Sequence, residues 1–285
     1  MVQMVEGALG SPDAPMQGLS PNAALSPAAA QFTGDTYAPA LSILRQPVSL
    51  GRAEDLDFGL RLLTEARQGN LGPTVRFYRP EATLAFGQRD ANLTGFAEAC
   101  AAARRHGFEP LIRKAGGRAA AYHRGCLVVD HIEPQQDAMV RAKARFSHFG
   151  ELLGGALRSV GVDAEVGEIP GEYCPGEFSV HGTGSDGTQI KLVGTAQRAV
   201  SGAWLFSSVI VVQDPAPLRA VLTECYAALG LEWTPQTAGG ATDLVPKLTV
   251  EAVETAVVRA YAQNATLTEQ DWSTLNLGAK PHPNP

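Results

Sequence analysis

Long cationic runs are missing from this 285-residue chain. Its formal net charge is −6, and Arg104-Arg105 is only a pair. Nucleic acids and anionic membrane surfaces are bound through a basic footprint, so neither is expected as a partner. No apolar stretch approaches the length of a membrane span. The opening Met-Val-Gln-Met-Val-Glu-Gly has neither the basic nor the apolar region of a signal peptide. Cysteines are few, at 100, 126, 174 and 225, with no Cys-x-x-Cys pair. That usage points to free thiols in a reducing, cytoplasmic setting.

Other absences remove reaction classes. Without a Gly-x-Ser-x-Gly elbow, a serine hydrolase has no support. No Rossmann or P-loop signature sits between a strand and a helix. His123, Cys126 and His131 fit no common zinc spacing, and the odd separation of Cys126 and His131 sends them to opposite faces of a strand. No metal site is expected. Asp55 and Asp57 point apart on a helix and read as a solvated first turn suited to the helix dipole.

What remains is ordinary for a globular enzyme: 45% hydrophobic and 18% charged residues. Residues 1–38, rich in Ala, Pro, Ser and Gly, read as a disordered leader, residues 39–264 as a single domain, and residues 265–285 as a disordered tail. Within the domain, apolar periodicity predicts helices near 53–68, 95–106, 140–160 and 249–261, and another opening at Asp214-Pro215 as N-cap and first turn. Cys100 and Cys225 fall on apolar helix faces and read as core residues. Strands are expected near 42–50, 74–78, 83–86, 109–113, 126–130, 163–166, 190–197 and 204–212. Strands and helices intermix without βαβ alternation. The expected fold is therefore α+β, a mixed, largely antiparallel sheet packed with helices.

The most informative stretch runs from Gly171 to Arg198. It places Cys174 in a Pro/Gly-punctuated loop and Lys191 in a strand between Ile190 and Leu192. A thiol serves as an acyl acceptor when its pKa is lowered or a donor lies nearby, and a lysine ammonium can supply both. Upstream, Arg113-Lys114-Ala115-Gly116-Gly117-Arg118 follows a strand, where Gly-Gly lets backbone N–H groups approach an anion or a polarised carbonyl.

Two blocks together resemble the lipoate-protein ligase and octanoyltransferase superfamily, whose fold is shared with biotin-protein ligases. Arg113-Lys-Ala-Gly-Gly-Arg-Ala-Ala-Ala-Tyr-His-Arg-Gly125 resembles its Arg-x-x-Gly-Gly substrate loop. Lys191-Leu-Val-Gly194-Thr195-Ala196-Gln197-Arg198 resembles its Lys-x-x-Gly-x-Ala-x-Arg strand. Arg79 and the Gly87-Gln88 turn also match in position. The Cys174-Pro175-Gly176-x-Phe178-Ser179 loop is closest to the cysteine-dependent amidotransferase branch.

The resemblance implies Cys174 as nucleophile and Lys191 as the residue contacting the acyl carbonyl. It implies Arg79, Gly87, Arg113, Gly116, Gly117, Gly194, Thr195, Ala196 and Gln197 around the substrate. It implies an acyltransferase in protein lipoylation, moving an octanoyl or lipoyl group to a lipoyl-domain lysine through a Cys174 thioester. The carriers would be the glycine-cleavage H protein, lipoyl domains of 2-oxoacid dehydrogenase E2 subunits, or acyl carrier protein. Apolar side chains would line an acyl tunnel at about 0.8 kcal/mol per buried methylene.

Transfer would need no cofactor. An ATP-dependent ligase is the alternative, with Lys191 at the adenylate, ATP and Mg²⁺ required, and Cys174 dispensable. The other alternative is a non-catalytic module binding an acyl group or a lipoyl domain. Ser201-Gly-Ala-Trp-Leu-Phe-Ser stands where ligases carry a His-Gly-Thr-Leu-like strand, which favours transfer. Since a site lysine carries little packing, Lys191→Ala is expected to abolish transfer while leaving folding nearly intact.

Overall fold

The architecture follows from two strands, β6 (Cys126–Gln135) and β10 (Gly202–Val211), which pair antiparallel along their whole length. Their side chains alternate between faces. On one face Leu127, Val129, Trp204, Phe206 and Ile210 pack against Phe149, Leu153 and Leu157 of α3 (Ala142–Ser159) and Val253 and Val257 of α6 (Val250–Ala262). On the other face Ile132, Ala203 and Leu205 lie under Phe58, Leu62 and Leu63 of α1 (Arg52–Gln68), while Cys126 and Val211 join a separate core. The computed structural model describes residues 39–275, which lie in one compact unit.

The remaining strands are β1 (Ala40–Arg45), β2 (Thr74–Tyr78), β3 (Thr83–Phe86), β4 (Glu109–Ile112), β5 (Ala120–Tyr122), β7 (Ala164–Val166), β8 (Val180–Thr183), β9 (Gln189–Val200) and β11 (Thr266–Gln270). The remaining helices are α2 (Phe96–Arg105), α4 (Ala216–Leu229) and the single turn α5 (Ala241–Leu244). Eight strands form the main sheet, in the order β11-β1-β2-β6-β10-β9-β8-β7. Its parallel pairings are the two made by β1. A second sheet, β4-β3-β5, is covered by α2 and α4, with Leu84, Phe86, Ala99, Phe108, Leu222 and Tyr226 between them. The expected α+β class with a mixed, largely antiparallel sheet is thus the observed one.

Several local expectations change. The first strand ends at Arg45, and Gln46, Ser49 and Leu50 turn back to donate to Asp55 in the first turn of α1. Asp55 is not solvated: at 2% exposure its carboxylate accepts from Gln46 Nε2 (2.6 Å), Ser49 Oγ and the Leu50 N–H (3.0 Å), and faces the buried Arg76 at 3.8 Å. Arg76 also pairs with Asp130 at 2.9 Å, and its guanidinium lies over the Tyr78 ring. Asp57, two residues on, is exposed beside Lys114. Asp214 is not an N-cap; it takes a left-handed φ of 50°, and its carbonyl accepts from His123 Nε2 at 2.9 Å.

Cys100 is half-buried at the edge of the core that encloses Cys225. The chain does not lose order at residue 264. Thr266–Gln270 adds β11 to the edge of β1, and Trp272 packs on Phe58 with ring centroids 5.0 Å apart. The expectations for residues 1–38, and for the tail beyond 275, lie outside the described residues.

Candidate active site

Lys191 sits on β9 between Ile190 and Leu192, which face α3 and α6, so its side chain leaves the sheet on the side of the core that holds Cys126 and Val211, over the Tyr173 ring. A bulge follows: β8 pairs His181 with Lys191 but Val180 with Val193. The extra residue shifts the phase, so that Leu192 and Val193 both enter the α3 core. Lys191 thereby stays in step with Gly194, Ala196 and Arg198, while Thr195 and Gln197 turn toward α3. A Cβ on Gly194 would lie 3.8 Å from Lys191 Cε. Arg198 donates to the Lys114 carbonyl at 3.0 Å, tying β9 to the Gly-Gly turn. Gln197 instead accepts from Arg145 Nε and donates to the Ala142 carbonyl, both at 3.0 Å. The strand motif therefore serves two faces.

Lys191 is 2% exposed, and its ammonium uses all three donors. It reaches Glu172 Oε1 at 2.9 Å, the Tyr173 carbonyl at 3.0 Å and the Cys174 carbonyl at 2.7 Å. Glu172 is equally enclosed, at 3% exposure. Its carboxylate also accepts from Ser179 Oγ (2.6 Å) and the Gly176 N–H (3.1 Å). The pair thus organises the loop that carries Cys174. In this arrangement Lys191 has no donor left for an acyl carbonyl.

The Cys174 sulfur finds its donors across the gap, in the turn between β4 and β5. It accepts from the Arg118 N–H at 3.2 Å and from Arg113 Nη2 at 3.7 Å. Arg113 staples that turn through the carbonyls of Gly116 (3.0 Å), Arg118 (2.7 Å) and Ala85 (3.2 Å). Arg118 pairs with the buried Asp90 at 3.0 Å, and Asp90 accepts from the Gly87 N–H at 2.9 Å. Gly117 has φ +103°, and a Cβ there would lie 2.9 Å from Cys174 Sγ. A Cβ on Gly87 would lie 1.9 Å from the Gly117 carbonyl, so the two glycines permit one close crossing. Gly116 has open space and contributes its carbonyl.

The structure thus gathers Cys174, Lys191, Arg113, Gly87, Gly116, Gly117, Gly194 and Ala196 along one face. Thr195 and Gln197 belong to the other face. Arg79 stands apart; it donates to the Arg124 carbonyl (2.7 Å) and Glu251 (2.8 Å).

The Cys174 sulfur accepts from N–H donors, whereas the Cys225 thiol donates to the Ala99 carbonyl at 3.3 Å. Burial pushes Cys126 and Cys225 up to about 12 and raises Cys100 as well, keeping those thiols protonated at neutral pH. Cys126 and His131 do lie on opposite faces of β6, in different cores. Sequence reasoning missed Glu172, Asp90 and Tyr226. Glu172 stood two residues before Cys174, one of several acids around that loop. Tyr226, one residue beyond Cys225 on α4, carried no signal.

This sheet-and-helix frame is the fold of lipoate-protein ligases. A crystal structure of lipoate-protein ligase A bound with ATP superposes with a TM-score of 0.61 at 19% identity, covering 84% of this chain and 92% of that one. A bipartite lipoate protein ligase from Thermoplasma acidophilum, studied with its E2 lipoyl domain, gives 0.60 at 20% identity over 85% and 91%. At these identities the likeness is one of fold.

The family itself is shown by sequence: residues 52–262 match the lipoyl protein ligase A/B catalytic domain, and the chain belongs to that family. Among curated relatives, an octanoyl-GcvH:protein N-octanoyltransferase of Geobacillus kaustophilus is 28% identical over 169 residues, 59% of this chain and 58% of that protein. Another of that name, from Exiguobacterium sibiricum, is 26% identical over 229 residues, 73% of this chain and 81% of that protein.

Proposed function

We propose that this chain is an octanoyl or lipoyl protein acyltransferase in protein lipoylation, with Cys174 as its nucleophile. The observation that carries the reading is the sulfur itself, facing the Arg118 N–H at 3.2 Å and the Arg113 guanidinium at 3.7 Å. A thiolate there attacks the acyl carbonyl of an acyl-lysine or acyl-thioester donor. The C–S bond forms, the donor's C–N or C–S bond breaks, and the leaving amine or thiol takes a proton. The ε-amine of an acceptor lysine then attacks the thioester, forming the amide, releasing its proton and restoring the thiol. The oxyanion formed at each step develops beside the same two donors, a form of stabilisation worth about 3–4 kcal/mol per donor in comparable sites.

Lys191 acts in this reading by fixing the loop, through Glu172 and the carbonyls of Tyr173 and Cys174. Exchanging one lysine amide for another is nearly balanced in free energy, so the reaction asks for neither ATP nor Mg²⁺. The relatives named for octanoyl-GcvH support the glycine-cleavage H protein as donor and a protein as acceptor, here read as a lipoyl domain.

The test is transfer without ATP. The full chain is mixed with octanoylated H protein and an unmodified E2 lipoyl domain, and both are weighed by mass spectrometry. The octanoyl mass should leave the first and appear on the second. Modification of the acceptor only with ATP and free octanoate would instead establish a ligase.

A further inference from the structure

Tyr226 belongs to none of the motifs above, yet its hydroxyl stands where the two halves of the site meet. It accepts from the Cys174 N–H at 2.8 Å and donates to the Ala119 carbonyl at 3.0 Å. Ala119 follows Arg118, whose N–H reaches the Cys174 sulfur at 3.2 Å. A closed ring results, running from the Cys174 amide through the Tyr226 hydroxyl to Ala119, back one residue to the Arg118 amide, and on to the Cys174 thiol.

The backbone of Cys174 needs such a hold. Its φ of 44° is left-handed, a conformation that costs a residue with a side chain and persists only where the surroundings over-determine it. Tyr226 is fixed in turn, at 2% exposure and with its ring 5.5 Å from that of Trp233. Burial, and then the neighbouring Cys174, push the hydroxyl well above the ordinary tyrosine range, so it stays a neutral group able to accept and donate at once.

We infer that Tyr226 is a positioning residue: its hydroxyl joins the thiol loop to the Gly-Gly turn and so holds the Cys174 sulfur against the Arg118 amide. As a statement about acyl transfer this rests on the proposed function; as a statement about the thiol it does not.

Tyr226→Phe removes one oxygen and keeps the ring. Two readouts separate positioning from mere support. The first is the rate of Cys174 alkylation by iodoacetamide in the native protein, followed by peptide mass spectrometry so that the other cysteines are scored apart. The second is the split between kcat and KM in octanoyl transfer. Alkylation should slow about tenfold, and kcat should fall about 10- to 100-fold with KM within about twofold, the scale of a displacement of about 1 Å. Trp233→Phe is the structural control; it thins the packing on the same ring, lowers the melting temperature, and should leave the Cys174 alkylation rate within about twofold.

If Tyr226→Phe does not fold, 4-aminophenylalanine at position 226, which can donate and accept, should restore at least half of the wild-type alkylation rate. Alkylation at the wild-type rate in Tyr226→Phe, or equal slowing in Trp233→Phe, would overturn the inference. Wild-type protein that alkylates readily but never takes an acyl group would instead count against the proposed function alone.

Discussion

Replacing Lys191 by alanine tests the placement of that ammonium more sharply than any other substitution. A site lysine poised for substrate would be exposed and cheap to remove. Lys191 is instead 2% exposed and bonded to Glu172 and two carbonyls. Removing one partner of a buried ion pair leaves the other charge uncompensated, at a cost of about 3–5 kcal/mol. In a domain of this size each kcal/mol lowers the melting temperature by about 2–4 °C, so Lys191→Ala should melt about 6–20 °C below wild type and should also lose transfer. Glu172→Gln alone and Lys191→Met alone should destabilise similarly, while the two combined should recover much of the loss in a double-mutant cycle. Urea unfolding followed by tryptophan fluorescence measures all four corners. An inactive Lys191→Ala variant that unfolds within about 1 kcal/mol of wild type would refute the buried pair and return the ammonium to the substrate.

Further outcomes follow from other contacts. Gly117→Ala, strained at φ +103° and with its Cβ 2.9 Å from the thiol, should lower transfer at least about tenfold, read as initial rates against Gly116→Ala, which has open space and should be milder. Arg76→Met strands the carboxylates of Asp55 and Asp130 and should cost about 3–5 kcal/mol in urea unfolding. Ending the chain after Asn264 removes β11 and the Trp272–Phe58 contact and should lower the melting temperature in calorimetry. At pH 8, iodoacetamide should modify Cys174 well before Cys126 and Cys225, whose thiols titrate near 12 and ionise only well above that pH; peptide mapping before and after urea treatment reads the order.

Elements with strong local pattern were legible in the sequence. The apolar stripes of α1, α3, α4 and α6, the strands β2 and β3, the Gly-Gly turn and the Cys174 loop all stand where composition and periodicity put them. What escaped depends on partners far apart in the chain. Asp55 looks solvated on its own helix and becomes buried only because Arg76, Gln46 and Ser49 close over it. The strand β11, Thr-Leu-Thr-Glu-Gln, buries little and exists through backbone pairing with β1, which leaves no apolar alternation to read.

Within the site, even alternation puts Thr195 and Gln197 beside Lys191, and the bulge after Lys191 undoes it. Cys174 and Arg118 are drawn together by a tyrosine hydroxyl on a third element, which spacing within either motif could not reveal. Arg79 matched by position and lies elsewhere because its guanidinium is engaged by Glu251 and the Arg124 carbonyl.

The central claim is an acyl group on the Cys174 sulfur. Intact-protein mass spectrometry of the full chain, after mixing with octanoylated H protein in the absence of ATP and acceptor, tests it most directly. The account predicts a gain of one octanoyl group that hydroxylamine removes and that Cys174→Ala never acquires. Transfer to a lipoyl domain by Cys174→Ala at the wild-type rate would contradict it.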